Sequence, residues 1–465
     1  MSQLEIFFKK IHSTIRLPEK EASELLKKQL TMNPKSPHLP KLQVDLQNQS
    51  EQTISKFVQD QQFFGGDWAR FESLIVSYLK FVRNFDPWSI LKSIDLMINV
   101  VDELASSLNK QQHYKYLFGT LVDYVILLHP LVKLVDKKLL IIKKRNSYYP
   151  RLTQMSTILQ KAFNNIRNQR DPTGQISRDQ QLVLFLLGIK TCYIYFNINH
   201  LLRCNDIFSN MNVLNLDAKI IPKSQLIQYR FLLGKFNFIQ NNFMTAFVQL
   251  NWCLNNAYIN NTNHRTKNME LILKYLIPSS LIVGKIPNLN ILNQLLSSQE
   301  AHPLIELYRP LISTLKKGNV FEFHKYLFDN ESYFLKMNVL LPLLQRLRIL
   351  LFRNLVRKLA LIEPPVNNSL RFSSIKTALF VSISPNQNAY FQNNYSYLIV
   401  TNESQIDDSF VENLMISLID QNLIKGKLVN DNHRIIVSKA DTFPEIPTIY
   451  STKFAVDSSF DWLDQ

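Results

Sequence analysis

Glycine is scarce in this chain, with nine in 465 residues. Loops that cradle phosphates, nucleophile elbows and dinucleotide folds need glycine where the backbone takes φ > 0 or closely approaches a ligand. No G-x-G-x-x-G, no G-K-[ST] and no G-x-S-x-G motif occurs, which sets those enzyme classes aside. Cysteine is rarer still. Cys192, Cys204 and Cys253 each stand in an apolar helical context and none forms a C-x-x-C pair, so three buried small hydrophobes in a reducing compartment are expected. The nine histidines are scattered, with no H-E-x-x-H and no zinc-ligand spacing. Long apolar runs are missing as well: the longest, Leu182–Ile189, is far short of a bilayer span, and the start MSQLEIFFKK lacks a signal-type apolar core. These absences predict a soluble intracellular non-enzyme with no catalytic residue, no cofactor and no metal.

Aromatic and aliphatic residues and positive charge are plentiful. A hydrophobic content of 46%, with 30 Phe and 18 Tyr, predicts a globular core, and the length suits two or three units. The formal net charge of +16 predicts polyanionic partners: nucleic acid, acidic proteins or an anionic surface.

Along the chain, helical periodicity dominates. Residues 1–60 read as variable N-terminal helices, Leu4–Arg16 and Glu19–Leu30, followed by the linker Asn33–Pro40 with its three prolines. Residues 61–340 read as a right-handed, TPR-like helical-repeat solenoid. Trp68, Phe71, Leu74, Ile75 and Tyr78 define one buried helical face. Asp86 is expected to N-cap a helix with Pro87 at its first position. The helix Tyr229–Ile239, the turn Gln240-Asn241-Asn242 and the helix Phe243–Leu254 form one hairpin, and the turn Lys317-Gly318-Asn319 before Val320–Phe328 opens another.

Residues 341–441 read as a winged helix. It comprises the helices Pro342–Leu361 and Arg371–Val381, an Asn-rich loop Pro385–Asn394, a β-rich piece Tyr395–Val400 and the helix Asp407–Leu423. A hairpin of Lys427–Val429 and Arg434–Ser438 follows, turning at Asn430-Asp431-Asn432, with Gly426 expected to close the preceding helix. Residues 442–465 read as a C-terminal tail whose acidic end, Asp457–Gln465, hangs free of the fold.

Cations concentrate in three places. On the wing stand Lys425, Lys427, His433, Arg434 and Lys439. The helix before them carries Asp407, Asp408, Glu412 and Asp420, which repel phosphate. Nucleic-acid contact by the wing is therefore expected to be backbone-directed and salt-dependent rather than sequence-reading. A secondary basic patch comprises Lys133, Lys137, Lys138, Lys143, Lys144, Arg145 and Arg151, with Asp136 and Tyr148-Tyr149 among them. Either it neutralises phosphates while the tyrosines stack on bases, or it is an ordinary solvated helix end. Arg346, Arg353 and Arg357 fall within an arc of roughly 40° on one helix; they either border the core or pair with acidic groups of a partner.

Several runs then resemble a known family. Phe196–Cys204 (FNINHLLRC), Tyr229–Lys235 (YRFLLGK), Tyr275-Leu276-Ile277-Pro278 with Gly284-Lys285, Phe352-Arg353-Asn354-Leu355 and Val437-Ser438-Lys439 look like the PCI-domain subunit of the nuclear transcription-and-export complex TREX-two. Asp86-Pro87-Trp88-Ser89 and Ala246-Phe247-Val248-Gln249 resemble its fungal, Thp-type branch. The resemblance covers roughly residues 70–445. It implies a non-catalytic subunit at the inner face of the nuclear pore. It also implies pairing with a Sac-type (GANP-like) scaffold and a small acidic Sem/Dss-type protein, the winged helix being offered to RNA or DNA. The alternative of the same architecture is an assembly subunit of a signalosome- or proteasome-lid-type complex that binds no nucleic acid.

Overall fold

In the computed structural model, helices form wherever apolar residues recur every three or four positions, and the description covers residues 2–110, 112–143, 149–169, 176–214, 216–257, 263–296, 302–365, 367–384, 403–429 and 433–464. Among these residues are twenty-one α-helices and one three-stranded sheet. The fold is thus mainly α, a helical-repeat body with a C-terminal winged helix. It comprises two compact units, residues 1–232 with 459–465, and residues 233–458.

The first unit begins with α1 (Gln3–Thr14), α2 (Glu19–Gln29), α3 (His38–Gln47) and α4 (Glu51–Asp60). A capping box between Ser2 and Glu5 starts α1. These helices are tied firmly to α5 (Ala69–Asn84): Phe7 stacks on Tyr78 at 5.9 Å, and the Tyr78 hydroxyl donates to the Gln29 and Thr31 carbonyls at 3.0 and 2.9 Å. The proline-rich stretch after α2 runs directly into α3, which accommodates Pro40 in its first turn. The helix α6 (Ile90–Ser107) starts later than its Asp-Pro signal suggests. Asp86 accepts the Trp88 N–H at 2.9 Å, an Asx turn that precedes the helix instead of capping it.

Next come α7 (Phe118–Lys143), α8 (Pro150–Asn168), α9 (Arg178–Asn197), α10 (Arg203–Val213) and α11 (Lys223–Ile239). The long α7 packs against α2, α6, α8 and α9. Cys192 and Cys204 are buried on α9 and α10, with the Cys204 thiol 4.0 Å from the Cys192 carbonyl oxygen; Cys253 is buried as well.

The acidic C-terminal stretch does not hang free. Residues Ser458–Asp464 form a 3-10 helix that buries Phe460, Trp462 and Leu463. Trp462 lies 6.4 Å from Phe185 and 6.0 Å from Tyr229, and its indole N–H donates to Asn212 at 2.9 Å. The fully buried Arg230 guanidinium donates to the Leu463 carbonyl at 2.7 Å and pairs with the Asp464 carboxylate. Removing each such aromatic from water stabilises by about 2–3 kcal/mol, more than solvation of exposed carboxylates opposes.

The second unit contains α12 (Phe243–Asn256), α13 (Asn263–Val283), α14 (Leu289–Leu296), α15 (Pro303–Lys317), α16 (Val320–Asp329), α17 (Glu331–Lys336) and α18 (Leu340–Ile362). The two hairpin turns fall where the sequence puts them. Asn241 has φ 64° between α11 and α12. Gly318 ends α15 at φ 69°, where a Cβ would meet the Leu355 backbone N at 2.6 Å, and Asn319 then caps α16. Both the left-handed conformation and the close approach require glycine there.

The winged helix follows α18 as β1 (Ser369–Arg371), α19 (Phe372–Ile383), α20 (Asp408–Asp420), β2 (Gly426–Val429) and β3 (Arg434–Val437), with α21 (Ile446–Lys453) after it. The strands are antiparallel in the order β1-β3-β2. Helix, strand, two helices and a strand pair in this order define the winged-helix arrangement. Two details differ from the sequence reading. Arg371 ends a strand instead of beginning a helix. Gly426 opens β2 instead of closing α20, whose left-handed terminator is Asn422 at φ 60°. A Cβ at Gly426 would meet the Ile436 carbonyl oxygen at 2.7 Å, so the glycine serves the close approach of β3. The segments Pro385–Asn394, Tyr395–Val400 and Asn430-Asp431-Asn432 lie outside the described residues. Among the described residues, no helix is long and apolar enough to cross a membrane.

Candidate nucleic-acid interface

The wing is positioned from below by its own apolar face. Ile435 and Val437 of β3 point into a core that includes Leu370, Phe372, Ile375, Val411, Met415 and Leu418. Strand alternation then sends Arg434 and Ile436 outward. The register sets Arg371 and Val429 beside Arg434, and Ser369 and Lys427 beside Ile436. One exposed sheet face therefore carries Arg371, Arg434 and Lys427, with Arg371 directly across from Arg434. None of the three forms an ion pair among the described residues. Like charges directly opposite on antiparallel strands destabilise the sheet, so this face holds positive charge against a small folding cost.

The other wing cations differ. Lys425 is engaged by Asp441 at 2.7 Å, its N–H donates to the Thr442 carbonyl, and its own carbonyl accepts from Ser438. It braces the base of the hairpin. Lys439 is exposed two residues beyond β3. His433, at the opposite end of β3, is exposed and lies 4.0 Å from Asp408, a pair that is ionic only when the imidazole is protonated.

Two of the carboxylates counted against phosphate contact have local duties. Asp407 caps α20 by accepting the Phe410 N–H at 2.8 Å, and Asp408 faces Lys376 at 3.5 Å as well as His433. Arg371 is the cation that sequence reading assigned to a helix. Its signal was the run Ser369-Leu370-Arg371 with one apolar residue between polar neighbours, too short to carry a period by itself.

The arginines of α18 divide between roles. Arg353 is buried and donates to the Phe443 and Pro444 carbonyls at 3.2 and 2.7 Å; burial and the neighbouring Arg357 lower its pKa to about 10. It borders the core, bonded to backbone oxygens. Arg346 sits 5.8 Å from the Phe243 ring, and Arg357 is exposed.

In the secondary patch, Asp136 is buried and accepts the Leu152 N–H at 2.9 Å, tying α7 to the first turn of α8. Burial raises its pKa, against the lowering effects of that bond and of Arg151. Arg151 makes a two-pronged bond to Asp95 at 2.7 and 3.0 Å and lies 3.8 Å from Asp136. Lys133, Lys137 and Lys138 are exposed on α7. Lys143 ends that helix, whereas Lys144, Arg145 and Tyr148 lie outside the described residues. Groups of His, Cys, Asp and Glu able to hold a metal are absent among the described residues.

A helical-repeat body ending in a winged helix is the class of architecture found in PCI-domain proteins, and the relatives of this chain agree. It is 26% identical over 415 residues to the nuclear mRNA export protein THP1 of Saccharomyces cerevisiae, covering 87% of this chain and 89% of that protein. A PCI domain-containing protein of Schizosaccharomyces pombe is 27% identical over 61% of this chain and 58% of its own length. A CSN12 homologue of the same organism is 24% identical over 63% of this chain and 59% of its own. No protein-family model matches. These similarities bear out the likeness to PCI-domain proteins, and to the Thp type among them, read from the sequence. None of the three is named as an enzyme.

Proposed function

We propose that this chain is a non-catalytic PCI-domain subunit of a nuclear mRNA-export complex of the TREX-two kind, working at the inner face of the nuclear pore. It pairs with a Sac-type scaffold and a small acidic Sem/Dss-type protein, and it lends its winged helix to a joint surface for RNA or DNA. The observation that carries this reading is similarity along 89% of the length of a protein named for nuclear mRNA export. The cations Arg371, Lys427 and Arg434 on one sheet face, without ion pairs among the described residues, agree with it, because phosphate contact needs positive charge without competing carboxylates. Lys439 extends the surface, and Lys425 and His433 support its two ends.

The test is purification of the chain with its stable partners from its native source, followed by RNA binding at stepped salt. A large scaffold and a small acidic chain should co-purify, with affinity falling linearly in log salt. The likeness to a CSN12 homologue gives weak support to a second reading, an assembly subunit of a signalosome- or proteasome-lid-type complex without nucleic-acid contact. A ring of further PCI subunits and RNA binding indifferent to Lys427→Glu and Arg434→Glu would establish that reading instead.

A further inference from the structure

The secondary basic patch belongs to α7, and the structure shows what shares its open face. At about 100° per residue, Ile126, Pro130, Leu134, Lys137 and Ile141 fall within an arc of roughly 80°. All five are exposed, with Ile126, Leu134 and Ile141 at 52, 50 and 70%. Their spacings of four, four, three and four residues are those of a helix-pairing seam. Lys133 stands just outside one edge of this arc and Lys138 outside the other. The two carboxylates of α7 do not reach the seam's cations: Asp123 pairs with Lys27 at 3.0 Å and Asp136 is buried against α8. Such a helix, apolar on its solvent side as well as its core side, lacks a covering element among the described residues.

We propose that the exposed face of α7 docks an acidic amphipathic helix of a partner protein. Its apolar seam covers Ile126, Leu134 and Ile141, one carboxylate meets Lys137 within the seam, and flanking Glu or Asp residues face Lys133 and Lys138. Nucleic acid gains nothing from three isoleucine and leucine side chains standing between the cations. A bilayer surface favours a wide apolar face with aromatic residues at its edge, whereas this seam is narrow, interrupted by Lys137 and without an aromatic residue. The inference stands on α7 alone and does not depend on the wing.

The experiment uses the full chain and a labelled synthetic helix of about four heptads, with Leu at a and d except for one central Glu placed to meet Lys137, and Glu at the flanking e and g positions. Fluorescence anisotropy compares it with a shuffled peptide of the same composition, with phosphatidylserine vesicles and with single-stranded RNA as competitors. The seamed peptide should bind about tenfold more tightly than the shuffled one. Leu134→Glu should abolish that preference and Lys137→Glu should weaken it, while Lys427→Glu on the wing leaves it unchanged. Both α7 positions are exposed, so the variants should melt as the parent does; a photo-crosslinker at Leu134 in the native-source complex provides a readout that needs no charge change. Crosslinks to a Glu- or Asp-rich protein helix support the proposal. Equal binding of seamed and shuffled peptides, Leu134→Glu binding like the parent, or crosslinks and competition dominated by lipid or RNA would overturn it.

Discussion

On the winged-helix sheet, Arg371, Lys427 and Arg434 share a face and have no ion-pair partner among the described residues. At the junction of α7 and α8, another basic stretch has Arg151 held by Asp95 and set beside the buried Asp136. Arg151 and the three sheet cations thus have opposite fates in structure. The difference lies in where the nearest carboxylates are. Asp95 comes from α6, remote in sequence from Arg151, whereas on the sheet the near carboxylates Asp407 and Asp408 are occupied by a helix cap and by Lys376. Charge density along a chain thus says little about availability until the fold has distributed its acids.

The largest effect should come from breaking the α7–α8 junction. Arg151→Ala leaves Asp136 buried with only the backbone N–H groups of positions 151 and 152 beside it and should destabilise by about 3 kcal/mol, because a buried carboxylate that has lost its cation must be desolvated or protonated. Urea unfolding measures it. RNA affinity of the still-folded variant should not change, and a matching loss of RNA binding would erase the contrast between the two regions.

Acidification sharpens the same contrast. His129 on α7 has its pKa lowered to about 4, chiefly by burial and secondarily by Lys190 and Lys133. In the unfolded chain this imidazole takes up a proton below its ordinary value near 6.5, while the folded state resists protonation until about pH 4. The unfolded state therefore binds more protons in that window, and stability falls as pH drops from 6.5 toward 4. Between pH 7 and pH 5 the loss should be about 1–2 kcal/mol from this residue. His324, bonded through Nδ1 to the Val320 carbonyl and likewise lowered to about 4 by burial, adds a similar slope in the second unit. His129→Gln should flatten the stability–pH profile in urea titrations; an unaltered slope would mean that the imidazole is not held neutral in the fold.

On the sheet, Lys427→Glu with Arg434→Glu should leave stability within about 0.5 kcal/mol, since both side chains are exposed and form no ion pair among the described residues. The same pair should weaken single-stranded RNA binding by the assembled complex about tenfold or more. It should also flatten the slope of log affinity against log salt by about 1.4, roughly 0.7 for each phosphate contact removed. An unchanged slope would remove this face from the proposed interface.

How far these features are legible in the sequence depends on whether their cause is local. The hairpin around Arg434-Ile435-Ile436-Val437 declares itself by β-branched residues next to the run Asn430-Asp431-Asn432, and the turns at Asn241 and Gly318 by residues that tolerate positive φ. Strand β1 does not: three residues have no period, and their strand state is imposed by pairing of Leu370 with Ile435. The C-terminal stretch misleads for another reason. Asp457, Asp461 and Asp464 dominate its composition, while Phe460 is buried and Trp462 and Leu463 find their partners on α9, α10 and α11. Arg230, buried in an apolar helix with no acid nearby in sequence, was the available sign that a distant acceptor must exist. The sequence gathers the wing cations at one hairpin. Their division into a sheet face without ion pairs among the described residues and the braced Lys425 needs the sheet register and the position of Asp441.

The smallest and most discriminating change is at Arg371. Because it stands in register with Arg434, replacing it by Thr removes a like-charge pair and supplies a β-branched residue suited to a strand, which together should stabilise the sheet by a few tenths of a kcal/mol. The same substitution should cost one phosphate contact, lowering the salt slope by about 0.7 and RNA affinity a few-fold. Stability and binding thus move in opposite directions for one side chain, the signature expected where positive charge is retained for a partner and not for the fold. If Arg371→Thr lowers the unfolding midpoint, or leaves the salt slope of RNA binding where it was, the arginine serves the sheet itself and the cationic face reduces to Lys427 and Arg434.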